Sequence, residues 1–117
     1  MEALKATFSP YSDKVTIVNK YVSNVDSEST ITLDSFSKNH NIIPNFIKMD
    51  IEGFEEKAIE GAINILNNSV ETVCAICTYH TPTAEKNIID KMDSLGYRPE
   101  YNKGYMFFHY KEHFSSP

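Results

Sequence analysis

Glycine is scarce in this chain, and the residues that occur, Gly53, Gly61, Gly96 and Gly104, are scattered. None lies in a glycine-rich turn between a strand and a helix, so no cradle for adenine, ribose or phosphate is recognisable. Long apolar runs are missing too: nothing approaches the roughly 20 residues that span a bilayer. The opening MEALKATFSPYSDK lacks the apolar core of a signal peptide. A cytoplasmic protein with no membrane partner is expected. Basic runs and zinc-finger spacings are absent, and the net charge is −5. Phosphate-driven binding to nucleic acid is therefore disfavoured. Cysteine occurs only as Cys74 and Cys77, in TVCAICTY. No second pair completes a zinc site. Residues three apart on a strand face opposite ways, and a redox C-x-x-C needs a helix start. Both cysteines are expected in the core, reduced. No serine sits in a nucleophile elbow. His109 and His113 fall on a predicted strand and its tail, where helical ligand spacing does not apply.

What is present suits one folded domain over residues 1–117, with 41% hydrophobic residues. Lys14 to Ser23 is rich in β-branched residues and reads as a strand, followed by a polar loop. Thr32 looks like the N-cap of a short helix that turns Leu33 and Phe36 inward. Phe46 to Ile51 reads as a second strand, broken by Gly53. Phe54, Ala58, Ile59, Ala62, Ile63 and Leu66 then show helical spacing, with Glu55, Glu56, Lys57 and Glu60 mostly outside the stripe. Gly61 inside that helix predicts a close approach to the sheet. Thr72 to Tyr79 is an apolar run of strand length. A helix carrying Ile88, Ile89, Met92 and Leu95 follows, closed by Gly96 at C′. YRPEY and YMFFHYK predict a terminal antiparallel hairpin, and residues 111–117 a frayed tail. Strands alternating with amphipathic helices predict an α/β fold with a parallel sheet covered on both faces.

One strand is unusual. In NFIKMDIEGFEE, Ile47, Met49 and Ile51 point one way while Lys48, Asp50 and Glu52 point the other. Strand ends in open α/β sheets are where ligands bind. Asp50 and Glu52 end one strand, and Tyr79 and His80 end the next. If the strands are neighbours, these residues share a rim able to do acid–base or metal chemistry. The plainer readings are a Lys48–Asp50 charge pair, Glu52 favouring a helix start, and His80 holding a carbonyl.

The runs TLDSF (Thr32–Phe36), KMDIEG (Lys48–Gly53), Glu55, EGA (Glu60–Ala62) and the strand ending in Tyr79-His80 together resemble the FkbM-type S-adenosylmethionine-dependent methyltransferases. The resemblance covers residues 14–110. It implies a Rossmann-like methyltransferase sheet of order 3-2-1-4-5-7-6 and methyl transfer to a hydroxyl of a sugar or related small molecule. Residues 14–23 would be strand 3, 46–51 strand 4, 72–79 strand 5 and the hairpin strands 6 and 7. Asp50, Glu52 and His80 would be catalytic, orienting or deprotonating the hydroxyl, and Lys48 and Tyr79 would bind substrate. The resemblance also allows a divalent ion to assist them; the residues alone assign no metal. The donor would be S-adenosylmethionine, but no position here matches its binding loop. The expectation is thus the acceptor half of a methyltransferase, inactive alone.

Without strands 1 and 2, the strand at residues 46–51 is left as an open edge, and open edges seek pairing. Either residues 14–23 fold over to pair with it, or the edge recruits a second copy or another chain. An interaction module working through that edge is the alternative to an enzyme fragment.

Overall fold

The computed structural model describes residues 14–68, 72–102 and 105–110. The expected frayed tail at 111–117 and the hairpin turn at residues 103–104 lie outside the described residues. Among the described residues six strands and four helices follow in order: β1 (Tyr21–Val22), β2 (Thr30–Ile31), α1 (Leu33–His40), β3 (Phe46–Met49), α2 (Glu55–Glu60), α3 (Ile63–Asn68), β4 (Val73–Ile76), α4 (Ala84–Ser94), β5 (Tyr97–Asn102) and β6 (Tyr105–Tyr110).

The main sheet has the order β3-β4-β6-β5. β3 and β4 are parallel, whereas β6 runs antiparallel to both β4 and β5. This is the α/β fold expected, with its terminal hairpin inserted β6-first beside β4. Pleat alternation divides the sheet. Ile47, Cys74 and Phe108 align across one face, as do Met49, Ile76 and Met106. These side chains form one core with Ala58, Ile59, Leu66, Ala84, Ile88 and Met92 of the helices. Each large apolar side chain buried there contributes about 1.5–3 kcal/mol. The helices that supply this core, α2 to α4, all do so to this face, so among the described residues the sheet is mixed and packed by them on one side, not parallel and covered on both as expected. The other face carries exposed Lys48, Arg98 and Glu100.

α4 follows its sequence pattern: Ala84, Ile88 and Met92, four apart, are its buried stripe. Its end is closed by Gly96 at φ +94°, where a side chain would also strike the Tyr110 ring at 2.9 Å. Tyr97 is fully buried, yet its hydroxyl donates to the Leu66 carbonyl at 3.0 Å, so no polar group is stranded.

Several local expectations are corrected. The strand read over Lys14 to Ser23 survives only as Tyr21–Val22, and it pairs in parallel with Thr30–Ile31 from the segment read as a loop. It does not fold over onto β3, which among the described residues is an edge strand of the main sheet. β-Branched residues favour extended backbone but do not choose its partner. β3 and β4 are each shorter than read, ending at Met49 and Ile76.

The single helix read after Gly53 is two helices, broken at Gly61–Ala62. The break has an identifiable cause. The Asp34 N–H takes the Gly61 carbonyl, and the Asp34 carboxylate accepts the N–H groups of Asn64 and Ile65 at 3.0 Å each. Asp34 thereby caps α3 from a distant part of the chain. The close approach that needs Gly61 is to the β1–β2 unit, not to the main sheet: a Cβ there would lie 2.3 Å from the Ser23 carbonyl oxygen and 3.1 Å from Thr32 Cβ. Thr32 is the N-cap of α1 as expected, its hydroxyl accepting from the Ser35 N–H.

Candidate functional site

The site lies where β3 and β4 leave the sheet together. Their register pairs Met49 with Ile76. The Cys77 N–H then donates to the Met49 carbonyl at 2.9 Å, extending the ladder one step. Asp50 on one chain segment and Cys77 to His80 on the other emerge side by side at the carboxyl rim.

After Asp50 the backbone turns sharply. Glu52 has φ +56° and Gly53 φ +96°, and the Phe54 N–H closes the turn on the Ile51 carbonyl. Left-handed backbone is unfavourable for glutamate and marks a locally strained position. The turn is held by Glu55, which is 1% exposed. Its carboxylate accepts the Ile51 N–H at 2.7 Å and the Gly53 N–H at 3.1 Å. The acid at the start of α2 thus reaches back over donors that the turn leaves unpaired.

His80 sits among these acids with its side chain 12% exposed. Its Nε2 lies 3.0 Å from Asp50 Oδ1 and 3.5 Å from Glu55 Oε2, and its Nδ1 lies 3.8 Å from Glu52 Oε2. Two carboxylates at Nε2 assign the proton of the neutral ring to that nitrogen. The Tyr79 ring lies 4.7 Å from the imidazole, centroid to centroid. Glu52 and Tyr79 are exposed, and Asp50 is half exposed.

The structure therefore brings together Asp50, Glu52, Tyr79 and His80. Lys48 is exposed on β3, one pleat before Asp50 and opposite Ala75. His80 holds a carboxylate, where the plainer reading had it holding a carbonyl. Two residues were missed as members of this site. Glu55 was read as outside the buried stripe, yet it is buried and organises the turn. Its signal was an acid in the first turn of a helix, three residues after Glu52. Cys77 was read as core; it is buried and reduced as expected, but it stands at the strand tip and not within β4. Its signal was the C-x-x-H spacing to His80. One ligand atom each from Asp50, Cys77 and His80 lie within 4.8 Å of one another.

A groove of about 550 Å³ shares Ile51 and Phe54 with this turn and is otherwise lined by Lys20, Tyr21, Val22, Ser23 and Thr30. The cavity at the α1–α3 junction, about 390 Å³, has no rim residue in its lining. Among the described residues no glycine opens a cradle for an adenosyl group at a strand-to-helix turn. Gly53 is the one glycine described at a strand-to-helix turn, and a Cβ there would make ordinary contacts at 3.8 and 3.9 Å, leaving no space that only glycine opens. No helix of the described residues is long and apolar enough to cross a membrane.

Comparison with known proteins bears on this geometry. Residues 6–99 match the family model of the methyltransferase FkbM domain. A crystal structure of methyltransferase FkbM from Methylobacillus flagellatus KT is similar in fold, with a TM-score of 0.75 and 20% identity over 93% of this chain. The chain spans 33% of that protein's length. No curated protein matches it.

Proposed function

The chain belongs to the FkbM methyltransferase family, and on that premise we propose that its rim is the acceptor side of a methyl transfer from a donor of the S-adenosylmethionine type to a hydroxyl of a sugar or related small molecule. The observation that carries the reading is the imidazole of His80 fixed between Asp50 and Glu55. With Nε2 engaged there, Nδ1 and the exposed Glu52 carboxylate, 3.8 Å apart, form the pair that receives the hydroxyl proton. Imidazole is the commonest general base, and a carboxylate behind it fixes its tautomer and orientation. Lys48 and Tyr79 flank the hydroxyl-bearing molecule and position it. Among the described residues no glycine-opened cradle for the donor is seen. The chain alone is expected to bind acceptors without methylating them.

The test is saturation-transfer NMR of the full chain against a panel of monosaccharides and methyl glycosides, beside calorimetric titration with S-adenosylmethionine. Saturation of at least one glycoside, lost in folded Asp50→Asn and His80→Ala variants, is the expected result. Saturation unchanged in both variants would overturn the acceptor assignment.

A second reading draws on the outer edge of β3. Among the described residues no strand pairs with it, and Ile43 and Phe46 beside it are 73% and 52% exposed. Such an edge is a ready template for a second copy or another chain. Sedimentation of the full chain across concentrations separates the two readings. A dimer broken by Phe46→Lys supports the interaction module, and a monomer at all concentrations counts against self-pairing.

A further inference from the structure

We propose that Asp50, Cys77 and His80 form a site for one thiophilic divalent cation of the zinc type. The three donors are an oxygen, a sulfur and a nitrogen from two paired strand ends, all within 4.8 Å of one another. In a tetrahedral zinc site, ligand atoms stand roughly 3.3–3.5 Å apart, given bonds of about 2.0 Å to oxygen or nitrogen and 2.3 Å to sulfur. His80 Nε2 and Asp50 Oδ1 are already 3.0 Å apart. Closing on a cation therefore asks the sulfur edge to contract by little more than about 1 Å.

The surroundings favour this. Three carboxylates, those of Asp50, Glu52 and Glu55, lie within 4 Å of one imidazole. Negative charge gathered in this way is offset by a divalent cation at the centre. The backbone carrying the sulfur is rigid, since Cys77 is fully buried and its N–H is bonded to Met49. A cation on Nε2 moves the ring proton to Nδ1, which then faces Glu52 in the carboxylate–histidine–metal arrangement that fixes ligating imidazoles. In the loaded state the Glu52 carboxylate, not Nδ1, is the base at this rim.

Donor chemistry selects the ion. A thiolate and an imidazole prefer zinc or cobalt, whereas magnesium and calcium prefer oxygen alone. Thiolate and carboxylate together neutralise the ion's two charges. Three protein ligands leave a fourth position open to water or a hydroxyl. Only the use of that position for an acceptor's hydroxyl rests on the acceptor-side reading; binding of the cation does not.

The test uses the full chain, untagged, reduced and freed of metal by a chelator, with Co²⁺ as the probe. A near-ultraviolet thiolate-to-cobalt band with visible d–d absorption should grow to one equivalent and be displaced by Zn²⁺. Folded His80→Ala and Asp50→Asn should bind about tenfold or more weakly. Cys77→Ala should lose the thiolate band, and Cys74→Ala should keep it. Should Cys77→Ala fail to fold, X-ray absorption of the zinc-loaded wild type decides, with one sulfur expected at about 2.3 Å. No band at millimolar Co²⁺, a band surviving in folded Cys77→Ala, or zinc with no sulfur neighbour would each overturn the site. None of these readouts depends on glycoside binding, so the cation site and the acceptor assignment fail separately.

Discussion

The backbone N–H of Asp34 donates to the carbonyl of Gly61 at 2.9 Å, joining the TLDSF and EGA segments. The contact explains why both segments carry the residues they do. Asp34 supplies the cap of α3, and Gly61 lets the β1–β2 unit come close enough for the cap to reach.

Gly61→Ala should destabilise the chain by about 1–3 kcal/mol, because the new methyl group strikes the Ser23 carbonyl oxygen, a backbone atom that cannot rotate away. Urea denaturation should show the midpoint falling with the slope unchanged. A variant as stable as wild type would mean that this close approach is not maintained in solution.

Asp34→Ala removes two hydrogen bonds at the start of α3 and should cost about 1–2 kcal/mol. Hydrogen exchange would localise the effect, with protection dropping first at Asn64 and Ile65. A uniform loss across the sheet would contradict a capping role.

Glu55→Gln keeps the shape of the buried side chain but gives up one acceptor oxygen and adds a donor beside two backbone N–H groups. A cost of about 1–3 kcal/mol is expected. NMR shifts of His80 should move as well, since Glu55 Oε2 lies 3.5 Å from its Nε2. Unmoved imidazole signals would separate the turn from the site.

Cys74 gives the alkaline limb. Burial pushes its thiol up from an ordinary value of 9.0 to about 12. The unfolded chain therefore ionises first. The part of the stability linked to this thiol is full below pH 9 and drains away as the pH rises toward 12. Burial also raises the Tyr97 hydroxyl, so Cys74→Ala should flatten this limb without abolishing it. An unchanged limb in that variant would place the titrating thiol elsewhere.

Glu60 gives an acid limb. Hydrogen bonds from Lys91 at 2.8 Å and Asn24 at 2.9 Å hold its carboxyl below the ordinary 4.5. Its stabilisation is present above that value and is lost as the pH falls through the lowered one. The pair is partly exposed, so the contribution is about 0.5 kcal/mol. Glu60→Gln should reduce the stability difference between pH 6 and pH 3 by that amount.

Local signals that need no partner were legible. Thr32 as an N-cap, Ile88 and Met92 in the buried stripe and Gly96 at C′ each depend on residues within a few positions of one another. The β3–β4 rim was legible because alternation and strand order together bring Asp50 and His80 to one place. The split helix was not legible, because the Asp34 carboxylate that divides it lies about 30 residues away from the capped N–H groups. Likewise, nothing in the run from Lys14 to Ser23 told that its pairing would shrink to two residues.

By itself the sequence determined the periodicities, the end signals of the helices and the charged alternation of one strand, because these follow from backbone geometry repeated over neighbours. Only the tertiary structure decided that Glu55 would be buried, that Cys77 would stand with Asp50 and His80, and that Gly61 would meet Ser23. Burial and contact between distant residues depend on how elements pack. A side chain's environment is set by the partners it meets, and periodicity names a face without naming what covers it.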